Sequence, residues 1–307
     1  MIMANHTIEL RLHPVPPFDF ELTAGYHTYF QARSGADSMD GAVYRRLLDL
    51  DGLLALASVR STGSMDVPEI AVELCGDSLD ETHTELAASQ LEWMLGCEQD
   101  LGPFYDLAQS DPAMAGLAEK FRGLHLPRTA TLFESLVLAV LGQQISASVA
   151  RAMRLLMIER FGRKAHLDGV VYFAFPQPEV IAASTPEELR TLKLTQRKAE
   201  YVHGIAHAAL EPEWPGLEQL PDDEFVSRLV QLRGIGRWTA QWALVRGLAR
   251  PDALPLGDLA LRRGVSRLLC DGQSVTDAEV EQLAERWRPW RSYATAYLFA
   301  AMRSGMV

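Results

Sequence analysis

The hydrophobic positions change their period once along the chain, near residue 100. Before that point, apolar and polar residues alternate in short stretches. Residues 7–13 (Thr-Ile-Glu-Leu-Arg-Leu-His) put Ile8, Leu10 and Leu12 on one side and polar or charged residues on the other, which predicts a strand with one face on a core. Residues 43–59 and 68–74 are further strand candidates, separated by the turn-rich Ser61-Thr62-Gly63-Ser64. Pro16-Pro17-Phe18-Asp19 opens a helix over 19–30, and another helix near 81–95 closes a small α+β unit.

Beyond residue 100 the spacing becomes helical. Asp111-Pro112 supplies an N-cap and a first-turn proline. Two strongly apolar helices, 131–141 and 146–161, are split by Gly142-Gln143-Gln144. Thr185-Pro186-Glu187-Glu188 has the form of a capping box. Helices are expected at 195–209, 221–231, 237–248, 259–269, 277–287 and 292–304, with a Pro/Glu-rich loop at 211–216. The fold class read from this is α+β: an amino-terminal antiparallel-sheet domain over 1–105, then a mostly helical region over 106–307.

Composition adds little until charge is mapped. With 48% apolar and 22% charged residues the chain has the makings of a soluble globular protein. The apolar run 136–141 is far too short for a membrane span. The start, Met1-Ile-Met-Ala-Asn-His, lacks the pattern of a secretory leader. Cys75, Cys97 and Cys270 lie far apart and are too few for a disulfide framework or a four-thiolate metal site, so a reducing cytoplasm is expected. The net charge of −11 argues against a nucleic-acid partner until it is divided: residues 1–120 carry 6 Lys+Arg against 20 Asp+Glu, residues 121–307 carry 23 against 20. Residues 228–267 hold eight arginines and two acids. That asymmetry places a DNA-facing charge in the second half.

The same stretch contains Leu232-Arg233-Gly234-Ile235-Gly236-Arg237-Trp238-Thr239, a Gly-x-Gly turn between two amphipathic helices, with Asp258 following 24 residues after Gly234. Glycines let a backbone approach closely, and the amides at the start of a helix attract phosphate. A carboxylate held nearby then lies beside the sugar that the phosphate carries. An ordinary helix–helix turn is the plainer alternative; the arginine density and the spaced acid favour DNA. Asp258 also precedes a helical stretch, so it reads as an N-cap as well, and the two roles are compatible. His203 and His207 stand four apart on a helix, but no third metal ligand lies nearby in sequence, and they read as surface histidines.

Gly234-Ile-Gly-Arg-Trp-Thr-Ala followed by Pro255-x-x-Asp258 resembles the helix-hairpin-helix DNA glycosylase superfamily, and within it the bacterial 3-methyladenine DNA glycosylase II branch. Leu141-Gly-Gln-Gln-Ile-Ser, Arg197-Lys-Ala-Glu-Tyr and Trp287-Arg-Pro-Trp-Arg-Ser-Tyr-Ala extend the similarity across roughly 130–304; Pro16-Pro-Phe-Asp-Phe echoes it weakly at the amino end. The resemblance implies two helical subdomains with the active-site cleft between them. It makes Asp258 the catalytic aspartate, which would stabilise the cationic sugar as the N-glycosidic bond breaks. The family places a second polar residue just before this aspartate, where the present chain has Leu256-Gly257.

Trp238 stands where bifunctional glycosylases carry a Schiff-base lysine, so the resemblance implies a monofunctional enzyme that leaves an abasic site. The absence of a four-cysteine tail separates the chain from the endonuclease III branch. Trp238 matches the family's stacking tryptophan, and Trp242 falls on the same helix face. Tyr26, Tyr293 and Phe299, the last in place of a family tryptophan, are further candidates for a base pocket suited to cationic alkylated purines; core packing is the alternative for each. Gly234, Gly236, Arg237 and Thr239 are the expected DNA-backbone contacts. Gln144 or Ile145 is expected to fill the gap left by a flipped base.

By position, the main-chain carbonyls of Val230, Leu232 and Gly234 would hold a structural monovalent cation; no cofactor is expected for the chemistry. The expected partner is double-stranded DNA with damaged bases, met by a monomer with no membrane association. The leading activity is excision of 3-methyladenine- and 7-methylguanine-type bases in base-excision repair. The rivals are a glycosylase for neutral lesions such as hypoxanthine or ethenoadenine, and a non-catalytic DNA-structure binder; Trp238 argues against a bifunctional 8-oxoguanine enzyme.

Overall fold

A computed structural model describes residues 6–167 and 169–305. Residues 1–5, on which the reading of a leader-free start rests, lie outside the described residues. The amino-terminal part contains β1 (His6–Leu12), α1 (Phe20–His27), β2 (Arg33–Ser34), β3 (Asp37–Asp40), β4 (Val43–Leu50), β5 (Leu53–Ser61), β6 (Ile70–Gly76) and α2 (Glu81–Leu95). Its strands form one antiparallel sheet, ordered β1-β6-β5-β4-β3-β2 among the described residues. The stretch 43–59, read as one strand candidate, is two. Asp51 and Gly52 adopt φ of 51° and 95°, the left-handed pair that a two-residue hairpin requires, and Leu50 then pairs with Leu53. The short β2–β3 hairpin carried no alternation long enough to be seen.

Helix α2 is capped by Asp80, whose side chain accepts from His83 N–H, and ends on left-handed Gly96. It lays Ala87, Leu91 and Met94 on the sheet's Ala55, Val59, Val72 and Leu74. Helix α1 is shorter than the expected 19–30, because Tyr29 and Phe30 take φ of 54° and 57° and turn the chain away.

The rest is α3 (Gly102–Ser110), α4 (Pro112–Lys120), α5 (Leu132–Gly142), α6 (Ala147–Phe161), a β7 (Lys164–Leu167) and β8 (Val170–Phe173) hairpin, α7 (Pro178–Ala182), α8 (Pro186–Arg190), α9 (Gln196–Ala208), α10 (Asp222–Leu229), α11 (Arg237–Arg246), α12 (Leu259–Leu269), α13 (Asp277–Ala284) and α14 (Arg291–Ser304). Asp111 and Thr185 cap their helices as expected, Thr185 in a full capping box with Glu188. The loop expected at 211–216 runs into a short 3-10 turn, Trp214–Gln219.

The helices bury two separate cores. One gathers α5, α6, α9, α10 and α11 around Leu136, Val140, Val202, Phe225 and Leu244. The other joins α3 and α4 to α12, α13 and α14 around Phe104, Leu117, Val265, Trp287 and Tyr297. Leu101 and Phe104 belong to this second core, as does Tyr26 of α1. The sheet is tied to α5 by Arg46, 3% exposed, whose guanidinium pairs with Asp37 at 2.8 Å and Glu134 at 2.6 Å.

Candidate active site

The hairpin between α10 and α11 is built on two glycines with different duties. Gly234 has φ +91°, and a Cβ there would be driven into the Tyr201 ring of α9. Gly236, at φ −94°, is the N-cap of α11; it is exposed, no side chain caps the helix, and a Cβ would meet nothing within 4 Å. Ile235 between them is 4% exposed and packs into the α5–α9–α11 core. Arg237, exposed, starts the helix. The hairpin thus anchors itself through one residue and leaves the first-turn amides of α11 without a side-chain cap beside it.

The Thr239 side chain faces inward, while its main-chain amide belongs to the first turn of α11. Thr239 is 1% exposed, and its hydroxyl accepts from Gln143 Nε2 at 3.0 Å. The same Nε2 donates to the Gly234 carbonyl at 3.1 Å, while Lys198 Nζ donates to the carbonyls of Leu141 and Gln143 at 2.9 and 2.7 Å. Gln143 and Lys198 therefore lock the 142–146 turn onto the hairpin. Both stand inside motifs that mark the family resemblance, but neither has a role legible from sequence, since their work is hydrogen bonding to main chain far away in sequence. Next in the turn, Gln144 is exposed at φ +56°, and Ile145 is half-buried. A left-handed glutamine is strained by about 1–3 kcal/mol and is held there by its locked neighbours.

Asp258 is the N-cap of α12. Its Oδ1 accepts from Ala260 N–H at 2.8 Å and Leu261 N–H at 3.0 Å, and its Oδ2 accepts from Trp238 Nε1 at 3.2 Å. The fold thus brings together the two residues singled out for chemistry. Leu256-Gly257, the departure from the family pattern, has a local reason: Gly257 takes φ +89°, and Asp258 N–H then closes onto Pro255 O at 3.2 Å. One carboxylate oxygen is committed to the helix end. The other is aimed by an indole, and the half-buried side chain stays accessible.

Trp238, Trp242 and Arg246 follow at four-residue steps on one face of α11, a line of roughly 12 Å leading away from Asp258. At its far end the tyrosines are not bare. Tyr26, 2% exposed, has Arg246 at 4.7 Å and Arg303 at 4.5 Å from its ring centre. Tyr29 lies under Arg154 at 5.1 Å and Arg303 at 4.8 Å, and its hydroxyl accepts from Arg154 Nη2 at 3.2 Å. Burial alone would raise the Tyr29 phenol, but Arg154, Arg246 and Arg303 outweigh it and bring it down to about 8. Arg154 keeps a buried Nε with no hydrogen-bond partner. Phe299 is half-buried with Arg303 at 5.9 Å.

Tyr293 does not join them. It is 5% exposed, stacks on Phe104 at 5.5 Å and donates its hydroxyl to Gln99 Oε1 at 3.3 Å. Tyr293 and Phe299 are six residues apart on α14, about 120° around the helix, so one faces the core when the other faces the tyrosine–arginine cluster. Tyr29, Arg154, Arg246 and Arg303 are additional cluster residues. Tyr29, Arg246 and Arg303 had a sequence signal, each about one turn beyond a flagged aromatic; Arg154 had none.

A carboxylate hydrogen-bonded to an indole in the first turn of the helix that the hairpin opens is suited to a sugar whose phosphate the hairpin amides hold. The class of protein made this way, with an antiparallel-sheet domain leading two helical bodies, is the helix-hairpin-helix base-excision glycosylase. Residues 137–289 match the HhH-GPD superfamily of base excision DNA repair proteins, and the chain belongs to that family. It is similar to the DNA-3-methyladenine glycosylase of Bacillus subtilis (strain 168), 32% identical over 257 residues that span 81% of this chain and 85% of the relative. Its fold is similar to that of the 3-methyladenine DNA-glycosylase from Archaeoglobus fulgidus, with TM-score 0.82, 27% identity and coverage of 96% and 98% of the two chains. It is also similar to the Schizosaccharomyces pombe 3-methyladenine DNA glycosylase in complex with abasic DNA, with TM-score 0.56 and 27% identity over 64% of this chain and 95% of that one. Among the described residues no helix is long and apolar enough to cross a membrane.

Proposed function

We propose that the chain is a monofunctional DNA glycosylase of base-excision repair that flips alkylated bases of the 3-methyladenine and 7-methylguanine type out of duplex DNA and hydrolyses their N-glycosidic bond. The observation that carries the proposal is the Trp238–Asp258 hydrogen bond beside the hairpin. Asp258 Oδ2 faces the positive charge that builds on the deoxyribose as the C1′–N bond breaks and its electron pair leaves with the base. Water adds to C1′ and loses its proton, with Asp258 as the nearby acceptor. Trp238 fixes the carboxylate and offers a ring face; with no amine there, no Schiff base forms. Lys198 spends its ammonium on the carbonyls of Leu141 and Gln143.

The amides at Gly236 and the first turn of α11 would take the phosphate, with Arg237 alongside. Gln144, exposed on a locked turn, fits the role of wedge better than half-buried Ile145. The hairpin carbonyls fit a structural monovalent cation. Leu232 O accepts one bond from Ile235 N–H and Gly234 O one from Gln143, which leaves each a second lone pair. The reading has the enzyme working as a monomer in the cytoplasm.

Base release from duplexes with single defined lesions tests the proposal. The product should be an intact abasic strand, and borohydride should trap no protein–DNA adduct. A robust adduct would overturn the monofunctional reading.

The guanidiniums around Tyr26 and Tyr29 favour a second substrate class, the neutral lesions. A neutral purine leaves as an anion, which positive charge stabilises, whereas an alkylated cation leaves neutral. Arg303→Gln is expected to slow hypoxanthine release by about tenfold, the worth of one charge-assisted contact, and 7-methylguanine release by no more than about threefold. Equal losses on both lesions would remove this reading.

A further inference from the structure

We propose that His203, His207 and the main-chain oxygen of Ser184 form a binding site for one divalent transition-metal cation of the zinc, nickel or copper kind, separate from the glycosylase site. The two histidines occupy successive turns of α9, with their Nε2 atoms 3.3 Å apart and ring centres 4.5 Å apart. His203 Nε2 also lies 3.0 Å from Ser184 O. A tetrahedral metal with bonds of about 2.0–2.1 Å to nitrogen sets its donors about 3.3 Å from one another, which is the separation of the two Nε2 atoms, and Ser184 O lies beside one of them.

Protons serve this arrangement poorly. If His203 Nε2 carries the hydrogen, it donates to Ser184 O and leaves the His207 Nε2 lone pair 3.3 Å away with no hydrogen of its own. If it does not, its lone pair is set against the carbonyl lone pairs 3.0 Å away. If both Nε2 atoms are protonated, two N–H groups confront each other at 3.3 Å. A cation at the centre accepts a lone pair from all three atoms. Imidazole donors select zinc, nickel or copper over calcium or magnesium. His207 is exposed, which leaves a coordination position for water.

The carbonyl is fixed by its surroundings. Ser184 joins α7 to α8: its Oγ donates to Ile181 O at 2.7 Å, and the next residue, Thr185, is locked in the capping box. Among the described residues no group of three or more His, Cys, Asp or Glu side chains converges. The third donor here is main chain, which a motif of side chains does not reveal. The clamp would join the α7–α8 segment to α9, whose other side carries Lys198 and Tyr201, the supports of the 142–146 turn and of Gly234.

The test uses tag-free, chelator-stripped full-length protein titrated with zinc chloride and with nickel chloride by calorimetry and thermal melting. One equivalent should bind, raise the melting temperature by about 3 °C or more at saturation, and be reversed by chelator. His207→Ala, an exposed substitution that should leave the unliganded melting temperature unchanged, should weaken binding at least tenfold and abolish the shift; His203→Ala should do the same. No saturable binding to the parent, or equal binding and shift in the parent and His207→Ala, would overturn the site. Neither result depends on base release, so the glycosylase reading stands or falls apart from it.

Discussion

Asp258→Asn is expected to cut the single-turnover rate of base release by about a hundredfold or more while leaving the fold and the binding of abasic duplex nearly unchanged. The substitution removes the charge and keeps the cap. Asparagine is as good an N-cap as aspartate, so its amide oxygen can still accept from Ala260 and Leu261 and hold the start of α12. With that oxygen kept by the cap, an amide NH2 stands where Oδ2 was, so the Trp238 indole loses its acceptor as well. What disappears with it is the negative charge beside the developing sugar cation, and one such preorganised contact is typically worth roughly 2.7–4 kcal/mol. Asp258→Ala is a poorer test, because it also removes the cap, at a cost of about 1 kcal/mol. Rates on one alkylpurine duplex, with affinity for abasic duplex measured alongside, decide the matter. A mutant that turns over within a few-fold of the parent would show that another group carries the charge and would sink the assignment.

Asp258, Trp238 and the hairpin were legible in the sequence because each depends on local geometry. A glycine pair between two helices, an acid preceding an apolar helical stretch and an indole in the first turn are short-range features, and the chain folds them together as their spacing implies. The long helices were legible for the same reason: α9, α12 and α14 have caps and periodicity within one stretch. The sheet was legible only in part. The Asp51-Gly52 turn inside an apolar stretch was passed over, and β2, two residues long, has no pattern of its own.

What sequence could not supply was polarity satisfied at a distance. Gln143 reaches Gly234 and Thr239, 91 and 96 residues away, and so makes the Thr239 side chain a buried strut. Arg154 meets Tyr29 across 125 residues, and arginines lie over Tyr26, one of the rings expected in a base pocket. Tyr293 shows the opposite error: its type suited a base pocket, but its place on α14 gives it to Phe104.

The two hairpin glycines should fail in different ways when replaced by alanine, and the difference tests whether the hairpin is the DNA anchor. Gly234→Ala must hold a side chain at φ +91° and force a methyl group into the Tyr201 ring. Left-handed strain and overpacking each cost on the order of 1–3 kcal/mol, so a loss of about 3 kcal/mol of stability is expected, together with loss of DNA binding. That loss alone is ambiguous, because a displaced hairpin binds nothing. Gly236→Ala removes the ambiguity. Its φ of −94° suits alanine, and its Cβ meets no protein atom within 4 Å. Its melting temperature should therefore match the parent's. The added methyl stands at the uncapped start of α11, where a phosphate would have to approach the amides, and should weaken binding of abasic duplex by about tenfold. That is the lower end of what a hydrogen bond to a charged group, worth roughly 1.5–3 kcal/mol, amounts to in affinity. A folded Gly236→Ala protein that binds abasic duplex as tightly as the parent would show that DNA is gripped elsewhere, and the place of the sugar beside Asp258 would lose its support.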